Sequence, residues 1–311
     1  MSKNILVTGG AGFIGSHIVE EAVNRGYNTL VLDDLSTGKK ENLEHLPQDS
    51  YRLIQGDIRD NNLINQVFKD NAINCVFHEA AIASVQKSIT DPENTYSINV
   101  EGTRNVFEAA VDHGVERVVF ASSAAVYGDD PKIPKVEDMS PKPISPYGEH
   151  KLENEKMAAK LSLKGSTKFV ALRYFNVYGL RQDPASEYSG VISIFINRIL
   201  SGQKITIYGD GKQTRDFVYV KDVVAANYLV AEKIARGFAI FNVGTGLQTD
   251  LNELVGIIFS LSSNVDNIKY ELSRAGDIRH SLADIINLRR ETGYKFDYEI
   301  KNGLSQLISH K

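Results

Sequence analysis

Ile5-Leu-Val-Thr-Gly-Gly-Ala-Gly-Phe-Ile-Gly15 is the stretch whose reading decides the fold. Ile5–Val7 is a short apolar run of strand character, and a stretch of helical length and pattern, Phe13–Asn24, follows the glycines. The loop between them satisfies G-x-G-x-x-G through Gly10, Gly12 and Gly15, and G-x-x-G-x-x-G through Gly9, Gly12 and Gly15. Glycines at these places permit a tight turn, let the backbone approach a pyrophosphate and pack helix on strand. The helix then offers free N–H groups and its positive dipole end to the anion. Asp33 ends the next apolar run, 18 residues past Gly15, near the ~20 expected of an acid that binds the ribose. A carboxylate there accepts from a 2′-hydroxyl and repels a 2′-phosphate, and Asp34 reinforces that choice, so the cofactor expected is NAD rather than NADP. The plainer alternative for Asp33 is an acid that caps a loop.

Working outward, strand-like runs recur at Thr29–Leu32, Tyr51–Gln55, Asn74–His78, Arg117–Phe120 and Lys168–Leu172. Stretches of helical length lie among them at Asn61–Asp70, Asn94–Asp112 and Pro146–Leu163. Strands alternating with helices predict right-handed βαβ units and a parallel sheet. Continuous apolar strands such as Val118-Val119-Phe120 suit a sheet covered on both faces. The expected class is α/β, a doubly wound parallel (Rossmann) sheet with a smaller α/β substrate-binding domain. Past residue 176 the rhythm becomes irregular. A helix is expected at Val191–Leu200, then the turn-rich Tyr208-Gly-Asp-Gly211, a short strand around Asp216–Val220 and a helix over Asp222–Lys233. Phe241-Asn-Val-Gly-Thr-Gly246 follows, and another helix starts at Leu251. The expected division is residues 1–176 for NAD and 177–311 for the substrate, with part of 215–245 returning to pack on the first domain.

At 311 residues, 42% hydrophobic and 24% charged, the chain is neither disordered nor fibrous in composition. Lys and Arg number 35 against 39 Asp and Glu, a net charge of −4 that argues against a general nucleic-acid binder. The single Cys75 allows no internal disulfide and no thiolate metal cluster, and the seven histidines lack ligand spacing. No metal is expected. No targeting segment and no run of ~18 apolar residues is visible, so a cytoplasmic protein without a membrane partner is expected.

Tyr147 and Lys151 stand at i and i+4 in Pro-Tyr-Gly-Glu-His-Lys, which puts both on one face of a helix. Ser122-Ser123 follows the strand Arg117–Phe120 and so lies at a carboxyl end of the sheet, where such folds bind ligands. A tyrosine with its usual pKa of ~10 is a poor base at neutral pH. One positive charge at ~4 Å is worth roughly 4 kcal/mol at an effective dielectric of 20, about three pKa units. The Lys151 ammonium, helped by the nicotinamide charge, is therefore expected to bring Tyr147 near 7. Ser123 would orient the substrate hydroxyl and share its proton.

These residues resemble the extended short-chain dehydrogenase/reductase superfamily, and within it the UDP-glucose 4-epimerase family. Besides the glycine loop, the similar stretches are Asp33-Asp-Leu-Ser-Thr-Gly38, Gly56-Asp-Ile-Arg59, His78-Glu-Ala-Ala81 and Asn99-Val-Glu-Gly-Thr103. They continue with Ser122-Ser-Ala-Ala-Val-Tyr-Gly128, Pro146-Tyr-Gly148 with Lys151, and Arg173-Tyr-Phe-Asn-Val-Tyr-Gly179. Gly209-Asp-Gly211, Arg215-Asp-Phe-Val-Tyr-Val220 and Arg274-Ala-Gly-Asp277 complete a match in family order over nearly the whole chain. The resemblance implies NAD contacts at Gly9, Gly12, Phe13, Ile14, Gly15, Asp33, Asp34, Leu35, Ser36, Thr37 and Gly38. It extends them to Asp57, Ile58, Ala80, Ala81, Ala83, Asn99, Ser122, Tyr147, Lys151 and Phe175. One position departs: Glu79 stands where Leu or Phe is usual, and it either pairs with a neighbour or points away.

The resemblance also implies the chemistry. Dehydratases of this kind follow the catalytic hydroxyl with Asp-Glu, and decarboxylases keep the Glu; here Ala124 and Ala125 leave elimination without its acid or base. What remains equipped, with Ser123, Tyr147 and Lys151 as catalytic residues, is oxidation and re-reduction at a sugar 4-hydroxyl through a 4-keto intermediate, with NAD kept bound. Substrate positions implied are Ser84, Ser123, Tyr147, Asn176, Val191, Tyr208, Arg215, Arg274 and Asp277, with the arginine forks suited to a diphosphate. Ser281 aligns with a size gate whose small residue goes with acceptance of N-acetylated sugars, as does the run Arg181-Gln-Asp-Pro184 with Tyr188-Ser-Gly-Val-Ile192. UDP-Glc/UDP-Gal and UDP-GlcNAc/UDP-GalNAc are the expected substrates. The rivals are a UDP-glucuronate 4-epimerase, a net reductase or dehydrogenase, and a non-catalytic NAD-sensing protein. A homodimer through a four-helix bundle of the helices at Asn94–Asp112 and Pro146–Leu163 is implied by resemblance as well.

Overall fold

The computed structural model describes residues 3–183, 190–262, 268–273 and 278–310. The apolar runs of the first half form β1 (Asn4–Thr8), β2 (Asn28–Asp33), β3 (Tyr51–Gln55), β4 (Cys75–His78), β5 (Arg117–Ser123) and β6 (Lys168–Tyr174). Four shorter strands follow, β7 (Asn176–Tyr178), β8 (Ile205–Tyr208), β9 (Thr214–Arg215) and β10 (Phe217–Tyr219). Then β11 (Phe238–Val243) returns to lie beside β6. The seven-stranded sheet runs β11-β6-β5-β4-β1-β2-β3 with every neighbouring pair parallel. The winding reverses between β1 and β4, and ligands of such sheets bind outside the strand ends at that point.

Around the sheet stand α1 (Phe13–Asn24), α2 (Asn61–Asn71), α3 (Val85–Thr90), α4 (Pro92–Tyr96), α5 (Thr103–Asp112) and α6 (Pro146–Leu161). Beyond them come α7 (Val191–Leu200) and α8 (Val220–Lys233). Successive side chains of a strand point to opposite faces. Ile5 and Val7, with Val31, Phe77, Val119 and Val170, share one core with Ile18 and Val19 of α1 and Val223 of α8. Leu6, with Leu30, Val76, Val118 and Phe120, joins Ile64 and Phe68 of α2, Val106 and Phe107 of α5 and Ala158 of α6 in the other. Both faces are covered, which is why these strands are apolar at consecutive positions. Phe107 is fully buried, 4.9 Å from Phe120 and 5.2 Å from Phe169 ring to ring. Its truncation to Ala would cost about 3–5 kcal/mol.

The expected continuous helix Asn94–Asp112 is interrupted. A π-helical segment, Ser97–Gly102, separates α4 from α5. The reason is Asn99, whose Oδ1 accepts from the Ile82 N–H at 2.8 Å while its Nδ2 donates to the Ile82 carbonyl at 3.0 Å. That pair of hydrogen bonds holds the loop after β4, and a widened turn is a common way to present one side chain so. The strand expected around Asp216–Val220 shortens to β10, with β9 just before it. Asp216 turns inward between them and accepts from Thr245 N and Oγ1 at 2.8 Å, Gly246 N at 2.9 Å and Ala283 N at 3.2 Å.

A third core lies past the sheet. Ile192, Phe195, Ile196 and Ile199 of α7, at i, i+3, i+4 and i+7, meet Ile205 and Ile207 of β8. Leu254 and Ile258 of α9 (Leu251–Ser262) close it, with Leu304 of α11 (Ile300–Ser309), while α10 (Ile286–Thr292) packs against α8 and β11. Short ladders tie this part together: β7 with β10, β9 with β12 (Thr249–Asp250), and β8 with β13 (Ile268–Glu271).

Candidate active site

The carboxyl ends of the sheet strands open into a cavity of about 450 Å³. The glycine loop forms its floor. Gly9 has φ +68°, and a Cβ on Gly15 would stand 2.1 Å from the Gly9 carbonyl oxygen, so the loop closes only without side chains at these two places. No side chain caps α1, which leaves its first N–H groups for an anion in the cavity. Asp33 lies on the wall with Oδ2 accepting from Ala11 N and Oδ1 from Leu35 N, both at 2.9 Å. Burial raises its pKa and those two bonds pull it back, so each oxygen keeps a lone pair for a ribose hydroxyl. Asp57, held below the usual carboxylate range by Arg59, and Ile58 stand farther along the same wall. These residues fit NAD: an uncapped helix end for the pyrophosphate and an acid at the end of β2 for the ribose.

At the other end α6 supplies Tyr147 and Lys151. Pro146 starts the helix, and the Ser145 hydroxyl caps it by accepting from Gly148 N at 3.2 Å. Tyr147 N donates to Ser88 Oγ at 3.1 Å, tying this turn to α3. Lys151 Nζ donates to the Ala121 carbonyl at 2.8 Å and stands 5.7 Å from the Tyr147 ring centroid. Ser122 and Ser123 belong to β5 itself rather than to a turn after it, because β5 continues in register with β6 up to Ser123 and Tyr174. Ser122 Oγ donates to Glu155 Oε1 at 2.6 Å, and Ser123 Oγ accepts from Ala125 N at 3.1 Å.

Electrostatics at this end differs from the expectation. Burial pushes the Tyr147 phenol up to about 12; the Ser123 hydroxyl pulls it down, and the charge of Glu79 adds to the rise. Burial also lowers the Lys151 ammonium, against the pull of Glu79 and Glu155. The expected value near 7 counted the lysine's charge and not the cost of burying the phenolate, so these residues alone do not provide it. Glu79 is also the answer to the open alternative: it pairs, accepting at Oε1 from Tyr174 Oη at 2.8 Å.

The model of the NAD dependent epimerase/dehydratase family matches residues 5–244. The chain belongs to this family. It is 38% identical over 307 residues to the UDP-glucose 4-epimerase of Mycolicibacterium smegmatis, covering 97% of this chain and 96% of that one. Among solved structures, the Thermotoga maritima UDP-glucose 4-epimerase with UDP-glucose is similar at TM-score 0.94 and 37% identity, covering 99% of this chain and 98% of that one. The UDP-N-acetylglucosamine 4-epimerase of Methanobrevibacter ruminantium, in complex with UDP-N-acetylmuramic acid, is similar at TM-score 0.92 and 38% identity, covering 100% and 99%. As a member of the family the chain is an NAD-dependent isomerase, with NAD as its cofactor.

With the family in hand, the remaining expected residues sort by place. Gly12, Phe13, Ile14, Asp34, Ser36, Thr37, Ala80, Ala81, Ala83, Phe175 and Asn176 line the cavity with the residues above. Leu35 and Gly38 stand behind the wall, Gly38 packed on the Asp33 carboxylate. Asn99 is buried and committed to Ile82, so it shapes the Ala80–Ala83 loop from behind. Ser84 is the buried cap of α3, accepting from Lys87 N at 2.9 Å. Val191 adjoins Gly190 on the rim, whereas Tyr208, Arg215 and Ser281 are not on this wall. Arg215 and Ser281 both reach the Thr214 carbonyl, by Nη1 at 2.9 Å and by the backbone N–H at 3.1 Å. Arg274, Asp277 and Tyr188 lie outside the described residues. The wall also holds Lys39, Tyr174, Arg181 and Asp183, which the site reading left out. Lys39 Nζ donates to Asp183 Oδ2 at 2.6 Å, joining the loop after β2 to the stretch past β7. Tyr174 carries a usable signal, since it ends the strand next to the Ser122 and Ser123 hydroxyls.

Proposed function

We propose that the chain interconverts UDP-hexoses by reversible 4-epimerisation through a 4-keto sugar, with Ser123, Tyr147 and Lys151 as catalytic residues. The observation that carries this is the convergence of Ser123, Tyr147 and Lys151 on one end of the cavity, with Ala124 and Ala125 beside them where elimination would need an acid or base. NAD, when bound, supplies the hydride acceptor and a positively charged ring. Tyr147 takes the proton of the sugar 4-hydroxyl and later returns it to the same oxygen when C4 is reduced from either face. Lys151, anchored on the Ala121 carbonyl, lends its charge to the phenolate, and Ser123 donates to the sugar oxygen as it changes between hydroxyl and carbonyl. The residues given above as NAD contacts hold the cofactor, with Asn99 and Leu35 acting from behind the wall.

For the substrate we read UDP-Glc/UDP-Gal together with UDP-GlcNAc/UDP-GalNAc. Arg215, Arg274 and Asp277 hold the nucleotide, Asn176, Val191 and Tyr208 line its path, and the small Ser281 leaves room for a 2-acetamido group. The similarity to both a UDP-glucose and a UDP-N-acetylglucosamine 4-epimerase supports that breadth. We divide the chain at 176, and read it as a cytoplasmic homodimer through α4, α5 and α6. Tyr96 of α4, with Val85 and Ile89 of α3, leaves apolar surface exposed for such a contact. Among the described residues no helix is long and apolar enough to cross a membrane.

The test incubates purified protein with UDP-Glc, UDP-GlcNAc and UDP-glucuronate separately, chromatographs the products and follows NADH absorbance. Formation of UDP-Gal and UDP-GalNAc without a steady rise of NADH is expected. Turnover of UDP-glucuronate alone, or net NADH, would replace the reading with a rival one. Tyr147→Phe should abolish turnover while NAD stays bound, and wild-type turnover by that variant would remove Tyr147 from its role.

A further inference from the structure

Glu79 puts a carboxylate where an apolar strand end opens into the reaction chamber. Its backbone N–H continues the ladder to the Thr8 carbonyl at 3.0 Å, and its side chain lines the same cavity as Tyr147 and Lys151. The carboxylate is fixed from two further elements. Tyr174 Oη on β6 donates to Glu79 Oε1 at 2.8 Å, and Asn227 Nδ2 on α8 donates to Tyr174 Oη at 2.8 Å. Asn227 is anchored in turn, donating to the Val223 carbonyl at 2.9 Å. A half-buried acid that only filled space would not need a relay across two elements.

Several elements present titratable or polar groups on the side of Glu79. From α6 these are Lys151 and Tyr147, with Glu155 behind them; from β5, the hydroxyls of Ser122 and Ser123; from β6, Tyr174; from α8, Asn227; from β4, His78. Glu155 is answered by Arg173, through hydrogen bonds of 2.9 and 2.7 Å. His78 lies between Thr8 and Thr103 and is held in its neutral form by burial. Among the described residues no guanidinium pairs with Glu79, and the cation whose pull on it is felt is Lys151.

We propose that Glu79 is the counter-charge of the Tyr147–Lys151 pair, a positioning residue whose carboxylate favours the ammonium form of Lys151 and the phenol form of Tyr147. The directions of ionisation agree. Burial lowers Lys151 while Glu79 raises it, and Glu79 adds to the rise that burial imposes on Tyr147. Glu79 itself is raised by burial and steadied by Tyr174 and Lys151. The pair thus keeps its proton until substrate and cofactor change the charge around it, and Glu79 acts on the reacting atoms through Lys151 and Tyr147. This rests on the reading of Tyr147 as the base.

The experiment uses the holoenzyme and Glu79→Gln, whose amide oxygen still accepts from Tyr174 but carries no charge. The phenolate of Tyr147 is titrated by near-ultraviolet absorbance as the difference between each protein and its Tyr147→Phe counterpart. In parallel kcat/KM for UDP-glucose is measured against pH. Glu79→Gln is expected to move the Tyr147 titration to lower pH by about one unit, with the acid limb of kcat/KM following, roughly tenfold faster at a fixed pH on that limb. Glu79→Met, uncharged and of similar length, is carried alongside and must move the titration the same way. A titration unchanged in both variants overturns the proposal, because a purely structural Glu79 would alter stability or KM and leave the phenol where it was. If the titration moves and the acid limb does not, the counter-charge stands and the assignment of Tyr147 as base falls.

Discussion

Arg173→Met removes the guanidinium that meets Glu155 through Nε–Oε1 at 2.9 Å and Nη2–Oε2 at 2.7 Å. The side chains are 2% and 4% exposed, so neither charge has water to fall back on. After the substitution the Glu155 carboxylate keeps one hydrogen bond, from Ser122 Oγ at 2.6 Å. Breaking one side of such a pair costs about 3–5 kcal/mol, because an uncompensated charge stays buried. The lost stacking of the guanidinium on Tyr127, 4.8 Å from the ring centroid, adds to this, while methionine refills much of the volume. Of a total stability of roughly 5–15 kcal/mol that is a large share. Guanidinium chloride denaturation should show a lower midpoint at unchanged slope, with Tm down on the order of 8 °C. The decisive companion is Arg173→Met with Glu155→Met, which removes both charges and should be more stable than Arg173→Met alone. A single variant losing under about 1 kcal/mol, or a double variant losing the sum of the two singles, would refute the assignment of these costs to the stranded carboxylate.

Gly15→Ala drives a Cβ to within 2.1 Å of the Gly9 carbonyl oxygen, so the loop must shift at a cost of about 1–3 kcal/mol. The measurement is NAD retained on purification, expected to fall well below the wild-type ratio while far-ultraviolet dichroism stays native. Ser281→Tyr should lower kcat/KM for UDP-GlcNAc by roughly 10–200-fold and spare UDP-Glc; equal losses on both would dismiss the size gate. Asp222 is raised by burial to about 6, against the bonds it accepts from Asp297 N and Tyr298 N. A carboxyl whose pKa is higher folded than unfolded favours the fold below its ordinary pKa, and that advantage is lost as pH rises through about 6. The stability of wild type minus that of Asp222→Asn should therefore decline between pH ~4 and pH ~7, by on the order of 2 kcal/mol; a difference flat over that window would contradict the burial argument.

What was legible in the sequence followed from burial on both faces of the sheet. Val118-Val119-Phe120 could be read as a covered strand because no polar residue interrupts it, and the glycine loop because a backbone approach excludes side chains. Spacing placed Tyr147 above Lys151 correctly, since both ride one helix. The same spacing could not give the ionisation of Tyr147, which depends on how much water the fold removes from the phenol and on an acid 68 residues upstream, Glu79. Asn99 and Ser84 look alike in sequence to residues that touch a ligand, and only packing reveals that one braces the Ile82 backbone and the other caps α3. Asp216 sits between two runs of strand character, and nothing local tells that its carboxylate will gather the N–H groups of Thr245, Gly246 and Ala283.

The two ends of the cavity solve opposite problems with different materials. The glycine loop meets an anion with backbone N–H groups and a helix dipole, which need no buried countercharge and leave Asp33 free to choose the ribose. The Tyr147 end instead concentrates ionisable groups that burial penalises. Lys151 lies within the field of two acids, and among the described residues only one of them has a guanidinium partner: Arg173 takes up the charge of Glu155, whereas Glu79 is met by the Tyr174 hydroxyl, which Asn227 holds, and by the field of Lys151 itself. An ion pair screens its own field, and a carboxylate held by neutral donors does not. Of the two, Glu155 holds β5, β6 and α6 in place through its pair with Arg173, while Glu79, raised by burial to about 7, is the acid whose ionisation changes the field at Lys151 and Tyr147.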